Sequence, residues 1–256
     1  MDVLIIGGTQ YFGKVVVQKL LKRGDRVTLY NRGNSKPVFW DDVEHIIGDR
    51  TNYDDFANKL RGKTFDAVID NVAFRTEDVK SAVETLQGNV GKYVVATTVS
   101  IYGGPGHALQ WRDYSKRDRP LWIDEFVDLD ACCPMYEEDA DLSRVDWDYV
   151  DEIDEYGQGK RMMEKYLSRI DDFPWVVIRV PATLGPEDPS LRFWWYQQRI
   201  LDGKELVLRE GGSNIFRLGF RDDVARSLID AADSPHTANN IYNVCQHEIT
   251  SLRRLV

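Results

Sequence analysis

The sequence predicts an α/β fold built on a doubly wound parallel sheet, and three observations support this. Short apolar segments typical of buried strands alternate with amphipathic segments typical of helices. The chain begins with such a strand, which runs directly into a glycine-rich turn and a helix within residues 3–23. Five strands are predicted by residue 96, with helices between most of them. This alternation is typical of a parallel sheet with helices on both faces.

The first strand–turn–helix–strand unit lies at the N-terminus. Residues 3–6 form an unbroken apolar run, as expected of a parallel strand that is buried on both faces. A helix is predicted over residues 14–23, and Gly24 follows where a helix C-terminal glycine belongs. A second strand is predicted over residues 26–30. In known folds this unit points the helix N-terminus at a pyrophosphate, so it indicates a dinucleotide site.

The glycine pattern of the first turn is irregular. The usual dinucleotide loop has glycine at three places. Gly7 and Gly13 occupy the first and the last, whereas Gln10 occupies the middle one. A side chain there must point away from the phosphates, or the loop must open. An ordinary tight turn without a ligand is the alternative, and the complete strand–helix–strand context favours the dinucleotide site.

The alternation continues to residue 180, which predicts a dinucleotide-binding domain over residues 1–180. Thr76 is the candidate N-cap of the helix that begins at about residue 77 and carries acids in its first turn. The further strands are predicted over residues 44–47, 67–70, 92–96 and 175–180, and the further helices over residues 53–60, about 77–86 and 156–167.

Residues 104–150 interrupt this alternation and are interpreted as an insertion in the domain. A basic and aromatic patch, residues 111–122, is followed by an acidic stretch, residues 124–155, in which Arg144 is the only basic residue. So long a connection is often a lid or a binding segment. A solvated insertion without a function is an equal alternative.

The composition changes at Pro181, where we place the start of a smaller substrate-binding lobe over residues 181–256. Its elements are predicted as a helix over 191–201, strands over 206–208 and 215–220, a helix over 222–232 and a strand over 241–245. Thr250 and Ser251 are predicted to cap a new helix just before the sequence stops. We therefore expect this lobe to be incomplete at its C-terminus.

The composition limits the function classes. A net charge of −9 argues against nucleic acid as the main partner, because phosphate binding needs a basic face. No apolar run reaches the length of a membrane span, and the first strand leaves no room for a signal peptide. Three cysteines, two of them adjacent, make no disulfide framework, which predicts a cytoplasmic location. The four histidines show no metal-ligand spacing, so no metal site is predicted.

Tyr156 and Lys160 are the residues that indicate chemistry. They lie four apart at the start of a predicted helix and therefore share one helix face. A nearby ammonium group stabilises a phenolate and lowers the pKa of a tyrosine from about 10 towards neutrality. Such a tyrosine can exchange a proton with a substrate oxygen while hydride moves at a nicotinamide ring. A hydroxyl at the end of the fifth strand, Thr98 or a neighbour, would hold the same oxygen. A surface pair without function is the alternative.

The end of the second strand indicates which cofactor is bound. Asn31 and Arg32 follow Tyr30, at the place where an acidic residue would bind the ribose 2′-hydroxyl of NAD. An arginine suits the 2′-phosphate of NADP instead. We therefore predict NADP, with NAD as the alternative.

Several segments together resemble the short-chain dehydrogenase/reductase superfamily, in its extended epimerase/dehydratase form with a Rossmann fold. The loop at 7–13 is similar to that of an atypical subgroup whose loop reads Gly-Gly-x-x-x-x-Gly. That subgroup includes reductases, sugar dehydratases and chloroplast stem-loop RNA-binding proteins. The matching segments are Gly-Gly-Thr-Gln-Tyr-Phe-Gly at 7–13, Tyr-Asn-Arg-Gly at 30–33, Gly-Asp-Arg at 48–50, Thr-Thr-Val-Ser-Ile-Tyr-Gly at 97–103, Tyr156 with Lys160, Ile-Arg-Val-Pro at 178–181, Gly185-Pro186 and Phe-Arg-Asp-Asp-Val-Ala at 220–225.

The resemblance implies a catalytic set of Thr98, Tyr156 and Lys160, and an aspartate, Asp49, that reaches the adenine. The predicted cofactor-binding residues are Gly7, Thr9, Gln10, Tyr11, Phe12, Gly13, Asn31, Arg32, Asp49, Arg50, Asn71 and Lys160. Gln10, the long insertion and the short C-terminal lobe depart from the family pattern.

The leading hypothesis is an NAD(P)-dependent epimerase, dehydratase or oxidoreductase that acts on a nucleotide sugar. A cluster of arginines in the C-terminal lobe favours a substrate that carries phosphate: Arg192, Arg199, Arg209, Arg217 and Arg221. An NADPH-dependent reductase of a small secondary metabolite is one alternative. A non-catalytic RNA-binding or scaffold protein on the same fold is another. A homodimer is left open.

Overall fold

The computed structural model describes residues 1–102, 136–140, 142, 145, 155–213 and 215–256. The strands are β1 (Asp2–Ile6), β2 (Arg26–Asn31), β3 (Glu44–Ile47), β4 (Ala67–Asp70), β5 (Tyr93–Thr98), β6 (Trp175–Val180), β7 (Ala182–Leu184), β8 (Ile215–Phe216), β9 (Leu218–Phe220), β10 (Asn240–Asn243) and β11 (Thr250–Ser251). The α-helices are α1 (Tyr11–Arg23), α2 (Tyr53–Leu60), α3 (Thr76–Leu86), α4 (Glu155–Leu167), α5 (Arg192–Leu201), α6 (Arg221–Asp233) and α7 (Leu252–Leu255). Short 3₁₀ turns lie at Trp40–Asp42, Val99–Tyr102, Glu137–Asp139 and Arg209–Gly212.

Seven strands form one parallel sheet in the order β10-β6-β5-β4-β1-β2-β3. The strand order reverses direction between β1 and β4, which is the arrangement of a doubly wound sheet. The predicted fold class is therefore confirmed. The carboxyl ends of β1, β2, β4 and β5 lie at one edge, where ligands bind in open sheets of this kind.

The inner strands of the central sheet are buried on both faces because they are largely apolar. On β1, Val3 and Ile5 pack into a core with α1 and α6, whereas Leu4 and Ile6 pack into a second core with α2, α3 and α4. Alternate side chains of a strand point to opposite faces, so one apolar run contributes to both cores. This explains why continuous apolar runs predict the central strands correctly.

Several predicted bounds are reproduced residue for residue, and others differ for local reasons. β3, α2, β4 and β6 match their predictions. β5 runs to Thr98 rather than to residue 96, because its pairing with β6 continues to that residue. Thr76 is the first residue of α3 and not its N-cap. Arg75 takes that place, and its backbone N–H donates to Asp78 at 3.0 Å.

The first helix begins at Tyr11, three residues before the predicted start. Its C-terminal end is as predicted, because Gly24 adopts the left-handed conformation with φ +91° and its N–H bonds to carbonyl oxygens of the last turn.

The C-terminal part differs most from its prediction. The predicted strand over 206–208 is wrong: those residues are irregular, and the Val207 side chain is 92% exposed. The strand predicted over 215–220 is two short strands, β8 and β9, which pair with β11 and β7. Ser251 caps α7 as predicted, since its side chain accepts a hydrogen bond from the Arg254 N–H.

Residues 181–256 contribute elements to the central sheet and its core as well as elements outside that sheet. α6 packs in the core beside α1, and β10 pairs with β6 at the edge of the central sheet. The remaining short strands and α5 lie outside that sheet. The division at residue 180 stays a prediction, and most of the predicted insertion, residues 104–150, lies outside the described residues. In the described part of the chain, no helix has both the length and the apolar character needed to cross a membrane.

Candidate active site

The turn after β1 is shaped by glycines that a larger residue cannot replace. Gly7 and Gly8 adopt positive φ angles of +99° and +83°. A Cβ on Gly8 would lie 2.8 Å from the Ile5 side chain and 3.0 Å from the Leu29 side chain. The turn is therefore packed directly on the strands beneath it, and the Gly7 N–H donates to the Tyr30 carbonyl oxygen of β2 at 2.9 Å.

Gln10 does not obstruct this turn. It is extended and exposed, and it directly precedes α1. Tyr11, the next residue, adopts the left-handed conformation with φ +47°. Its hydroxyl donates to the carbonyl oxygen of Thr183 at 2.8 Å, and burial raises the pKa of Tyr11 to about 12. The missing glycine is thus accommodated by a tyrosine whose side chain is anchored in the C-terminal part of the chain. Thr9 and Phe12, both partly buried, complete the turn.

Asn71 follows β4 and faces the glycine turn. A Cβ on Gly13 would lie 3.2 Å from its Nδ2 atom, and one on Gly7 would lie 3.7 Å from its Cβ. Both polar atoms of the Asn71 amide are buried, and neither has a hydrogen-bond partner. A buried amide without a partner costs free energy unless a ligand satisfies it. The narrow glycine cradle and this amide fit a bound dinucleotide.

The end of β2 connects to the same turn. The Asn31 side chain donates to the Gly7 carbonyl oxygen at 3.4 Å and accepts from the Gly33 N–H at 2.8 Å. Arg32 between them is exposed. The Asp49 carboxylate accepts hydrogen bonds from Thr51, and these, together with the positive charge of Arg32, hold its pKa below the usual value. An exposed arginine and an ionised aspartate therefore lie close together at this end of the site.

Arg50 is placed differently from its neighbours. It is buried, and its guanidinium group donates to Asp70 at 3.2 Å and to the main-chain oxygen of Asp78. The guanidinium carbon lies 4.3 Å from the centre of the Phe56 ring. Its contacts are thus with the protein interior, and its predicted part in cofactor binding stays a prediction.

Lys160 is almost completely buried, with 2% of its surface exposed. Its ammonium group donates to the carbonyl oxygens of Ala73 at 2.5 Å and Ala96 at 2.9 Å. Burial lowers the pKa of Lys160 to about 8, against the opposing effect of buried carboxylates. The lysine is therefore mainly protonated at neutral pH but close to its titration point.

Tyr156 lies beside this ammonium group. The Lys160 Nζ atom is 5.7 Å from the centre of the Tyr156 ring and 4.7 Å from that of Phe74. The two rings are 6.2 Å apart. About half of the Tyr156 side chain is exposed, so its ring is accessible to a substrate. The sequence spacing thus corresponds to a real contact between these two residues.

A close backbone contact explains why position 159 of α4 is a glycine. A Cβ at this position would lie 2.6 Å from the Phe74 carbonyl oxygen. The loop that follows β4 therefore packs directly on α4, and this contact brings the Ala73 oxygen to Lys160. The cost of about 1 kcal/mol for glycine in a helix is offset by this close approach.

Thr98 is the last residue of β5 and is buried. Its hydroxyl donates to Ser100 Oγ at 3.1 Å and accepts from the Ser100 N–H at the same distance. Because Lys160 bonds to Ala96, two residues earlier on β5, α4 and the end of β5 are joined directly. The structure therefore brings Thr98 to the same edge of the sheet as the Tyr156–Lys160 pair.

The sequence analysis does not identify three residues that shape this site: Ala73, Phe74 and Glu164. The contacts of Ala73 and Phe74 join segments more than 80 residues apart, and no local pattern reports them. Glu164 lies four residues after Lys160 and eight after Tyr156, so helical spacing places it on the same face. That signal was available in the sequence.

The fold and this edge of the sheet are those of the dinucleotide-binding class of α/β proteins. The chain belongs to the NAD dependent epimerase/dehydratase family, whose model matches residues 3–245. Solved structures similar to the chain include epimerases and a dehydratase, which are enzymes. Within the part of the chain that the structure describes, no cluster of residues suited to a metal ion is present.

Similar proteins come from bacteria and from a plant. A UDP-glucose 4-epimerase from Thermotoga maritima, solved with UDP-glucose, superposes with a TM-score of 0.70, at 18% identity over 100% of this chain and 80% of its own. The enzyme WbmH from Bordetella bronchiseptica, solved with NAD+, has a TM-score of 0.65, at 19% identity over 99% of this chain and 78% of its own.

The plant relative is the chloroplast stem-loop binding protein of 41 kDa b from Arabidopsis thaliana. It is 24% identical over 94% of this chain. The chain spans 58% of the length of that relative.

Proposed function

We propose that this protein is an NAD(P)-dependent epimerase, dehydratase or oxidoreductase that acts on a nucleotide sugar. The observation that carries the proposal is the buried ammonium group of Lys160 beside the half-exposed ring of Tyr156. Tyr156 exchanges a proton with a substrate oxygen, and Lys160 lowers the pKa of its phenol by stabilising the phenolate. Thr98 orients the same oxygen with its hydroxyl group.

The cofactor would be held by the glycine turn and by the side chains around it. When bound, the nicotinamide accepts and returns a hydride. Backbone N–H groups at the start of α1 bind the pyrophosphate, and the Asn71 amide gains the partners that it lacks. Asp49 binds the adenosine end, and Lys160 bonds the nicotinamide ribose. Arg32 is exposed near Asp49, at the adenosine end, and suits a 2′-phosphate. We therefore propose NADP as the preferred cofactor.

A nucleotide sugar is supported by the family and by neighbours that were solved with UDP-glucose. Arginines near the C-terminal end of the chain provide positive charge for a diphosphate. Arg192 on α5 is exposed and Arg217 before β9 is partly exposed. A reductase of a small metabolite would not need this charge. A cytoplasmic location and a homodimer stay predictions.

A second candidate is RNA binding on the same fold, and one observation favours it. The plant relative that matches 94% of the chain is a stem-loop binding protein. The net charge of −9 opposes this function, because counterion release from phosphates requires lysine or arginine contacts.

A turnover assay tests the proposed function. The protein is incubated with a panel of UDP-, dTDP- and GDP-hexoses and either oxidised cofactor, and products are separated by mass and by configuration. We expect one sugar class to be converted by the parent, and Tyr156→Phe to reduce the rate about 10²–10⁴-fold. Tyr166→Phe, on the same helix but with its ring packed against the core, is the matched control and should keep full activity.

Two results would contradict the proposal. Near-normal turnover by Tyr156→Phe would place the chemistry elsewhere. Absence of turnover on every sugar, together with salt-sensitive binding of a stem-loop RNA, would favour the RNA-binding function instead.

A further inference from the structure

We propose that Glu164 is a positioning residue, which holds the Tyr156–Lys160 turn of α4 in register with the end of β5. The inference rests on the proposed function, since it concerns how Lys160 acts on Tyr156. Glu164 itself is completely buried and exposes no atom to a substrate, so it is not a catalytic residue.

Glu164 is completely buried and is held by two neighbouring strands. Its carboxylate accepts hydrogen bonds from the Arg179 guanidinium, at 3.0 Å from Nε and 2.7 Å from Nη2. It also accepts a hydrogen bond from the Thr97 hydroxyl at 2.6 Å. Arg179 lies on β6 and Thr97 lies on β5, so one side chain of α4 is fixed to both strands.

The bond from Thr97 to Glu164 helps to fix the position of α4 along β5. One helical turn before Glu164, Lys160 bonds the carbonyl oxygen of Ala96. Two consecutive residues of β5 are thus bound by two residues of α4 that lie one turn apart. Thr98 is the next residue of β5, and Tyr156 lies one turn before Lys160. The same two bonds therefore fix the helix position from which Tyr156 and Thr98 approach a common substrate oxygen.

The charges around Lys160 give Glu164 a second effect. Three buried carboxylates act on the ammonium group, and each comes from a different element: Asp70 at the end of β4, Asp78 on α3 and Glu164 on α4. Each of them opposes the fall in the Lys160 pKa that burial causes. Asp70 is bonded by Arg50 and by the Tyr93 hydroxyl, and Glu164 is bonded by Arg179 and by the Thr97 hydroxyl. Among the described residues, Tyr156 on the same helix also contacts Lys160.

A buried ion pair of this kind also has an ordinary structural interpretation. Replacing one partner of such a pair destabilises the fold, since it leaves the other charge buried and uncompensated. A structural role alone, however, does not change the ionisation of Tyr156 or Lys160 in protein that remains folded. Their titration midpoints therefore distinguish the two roles.

The test measures these midpoints in the full chain, without cofactor or substrate. Tyr156 is followed by its tyrosinate absorbance, as the difference between each protein and the same protein carrying Tyr156→Phe. Lys160 is followed by NMR of lysine-labelled protein. In Glu164→Gln we expect the Lys160 midpoint to fall and the Tyr156 midpoint to rise, each by about one pH unit or more. Glu84→Gln on α3 removes an exposed carboxylate and should move neither.

A second variant covers the case in which Glu164→Gln does not fold. Glu164→Gln combined with Arg179→Met removes both charges, a change that buried pairs often tolerate. Because the positive charge of Arg179 is lost as well, the same two shifts are expected in this double variant in the same direction but smaller. Unchanged midpoints in either folded variant would overturn the inference. A double variant that does not fold would also overturn it, because the Glu164–Arg179 ion pair would then serve the stability of the fold.

Lys160→Met separates this inference from the proposed function. If Lys160→Met raises the Tyr156 midpoint and Glu164→Gln does not, only the role of Glu164 is wrong. If Lys160→Met leaves the Tyr156 midpoint unchanged, the proposed pairing of Tyr156 with Lys160 is itself wrong.

Discussion

Lys160→Met should remove the proposed activity and yet not weaken the fold at neutral pH. The lysine is buried, and its pKa is lowered from 10.5 to about 8, chiefly by burial. A difference of this size corresponds to about 3 kcal/mol by which the folded state disfavours the charged form. Methionine has a similar volume and no charge, so it avoids this cost. It also leaves the carbonyl oxygens of Ala73 and Ala96 without a partner, at about 1 kcal/mol each. The net expectation is a variant that is about 1 kcal/mol more stable at pH 7.

The pH dependence gives a sharper form of this prediction. Because the pKa of Lys160 is lower in the folded state than in the unfolded state, the unfolded state binds more protons between pH 8 and pH 10.5. The parent therefore carries the full cost below about pH 8 and loses it as the pH rises to about 10.5. Lys160→Met lacks this titration, so its stability relative to the parent should fall by about 3 kcal/mol across the same interval.

The assay is denaturant unfolding of the parent and the variant at pH 7, 8, 9 and 10, with the difference between them taken at each pH. Both proteins carry Tyr156→Phe, because Lys160→Met is expected to move the titration of Tyr156. Taking the difference then cancels the remaining tyrosines, whose titration the two proteins share. Lys80→Met, at an exposed lysine of α3, is the matched control and should show no change across the interval. A constant difference for Lys160→Met would refute the account of its burial, and so would a variant that is several kcal/mol less stable at pH 7.

Three further predictions concern the cofactor and the reaction. Arg32→Ala should lose the preference for NADPH over NADH, measured as the ratio of the two dissociation constants, and a parent that binds both equally would contradict this. Asn71→Ala should weaken cofactor binding by about tenfold while the free energy of unfolding changes by less than about 1 kcal/mol, because its amide has no partner in the protein; unchanged affinity by calorimetry would show that the amide does not face the ligand. Tyr156→Phe should lower kcat with little change in KM, measured in steady-state kinetics; a change in KM alone would assign the tyrosine to binding.

The sequence predicts the central sheet well because its strands are buried on both faces. A strand such as β4 is then a continuous apolar run between turn residues, and its bounds follow directly. The short strands of the C-terminal part carry no such pattern. The apolar residues 206–208 were predicted as a strand, but no neighbouring strand pairs with them in the described structure, and Val207 is exposed. Local propensity does not report whether a partner strand is present.

The candidate site can be predicted only in part from the sequence. Tyr156 and Lys160 lie one helical turn apart, which a sequence shows directly. The early start of α1 was not visible, because it depends on a left-handed tyrosine whose hydroxyl bonds to Thr183, 172 residues away. The Ala73 oxygen, which accepts a hydrogen bond from Lys160, is likewise brought close by the fold alone.

Binding of the nicotinamide dinucleotide is the central claim, and one measurement tests it most directly. The purified protein is titrated with NADPH, following the quenching of protein fluorescence, alongside Asn71→Ala and the control Asn240→Ala, whose exposed side chain lies on the edge strand β10. The account predicts saturable binding with one site per chain, weakened by Asn71→Ala and unaffected by Asn240→Ala. Absence of saturable binding by the parent with NADPH, and equally with NADH, would contradict it.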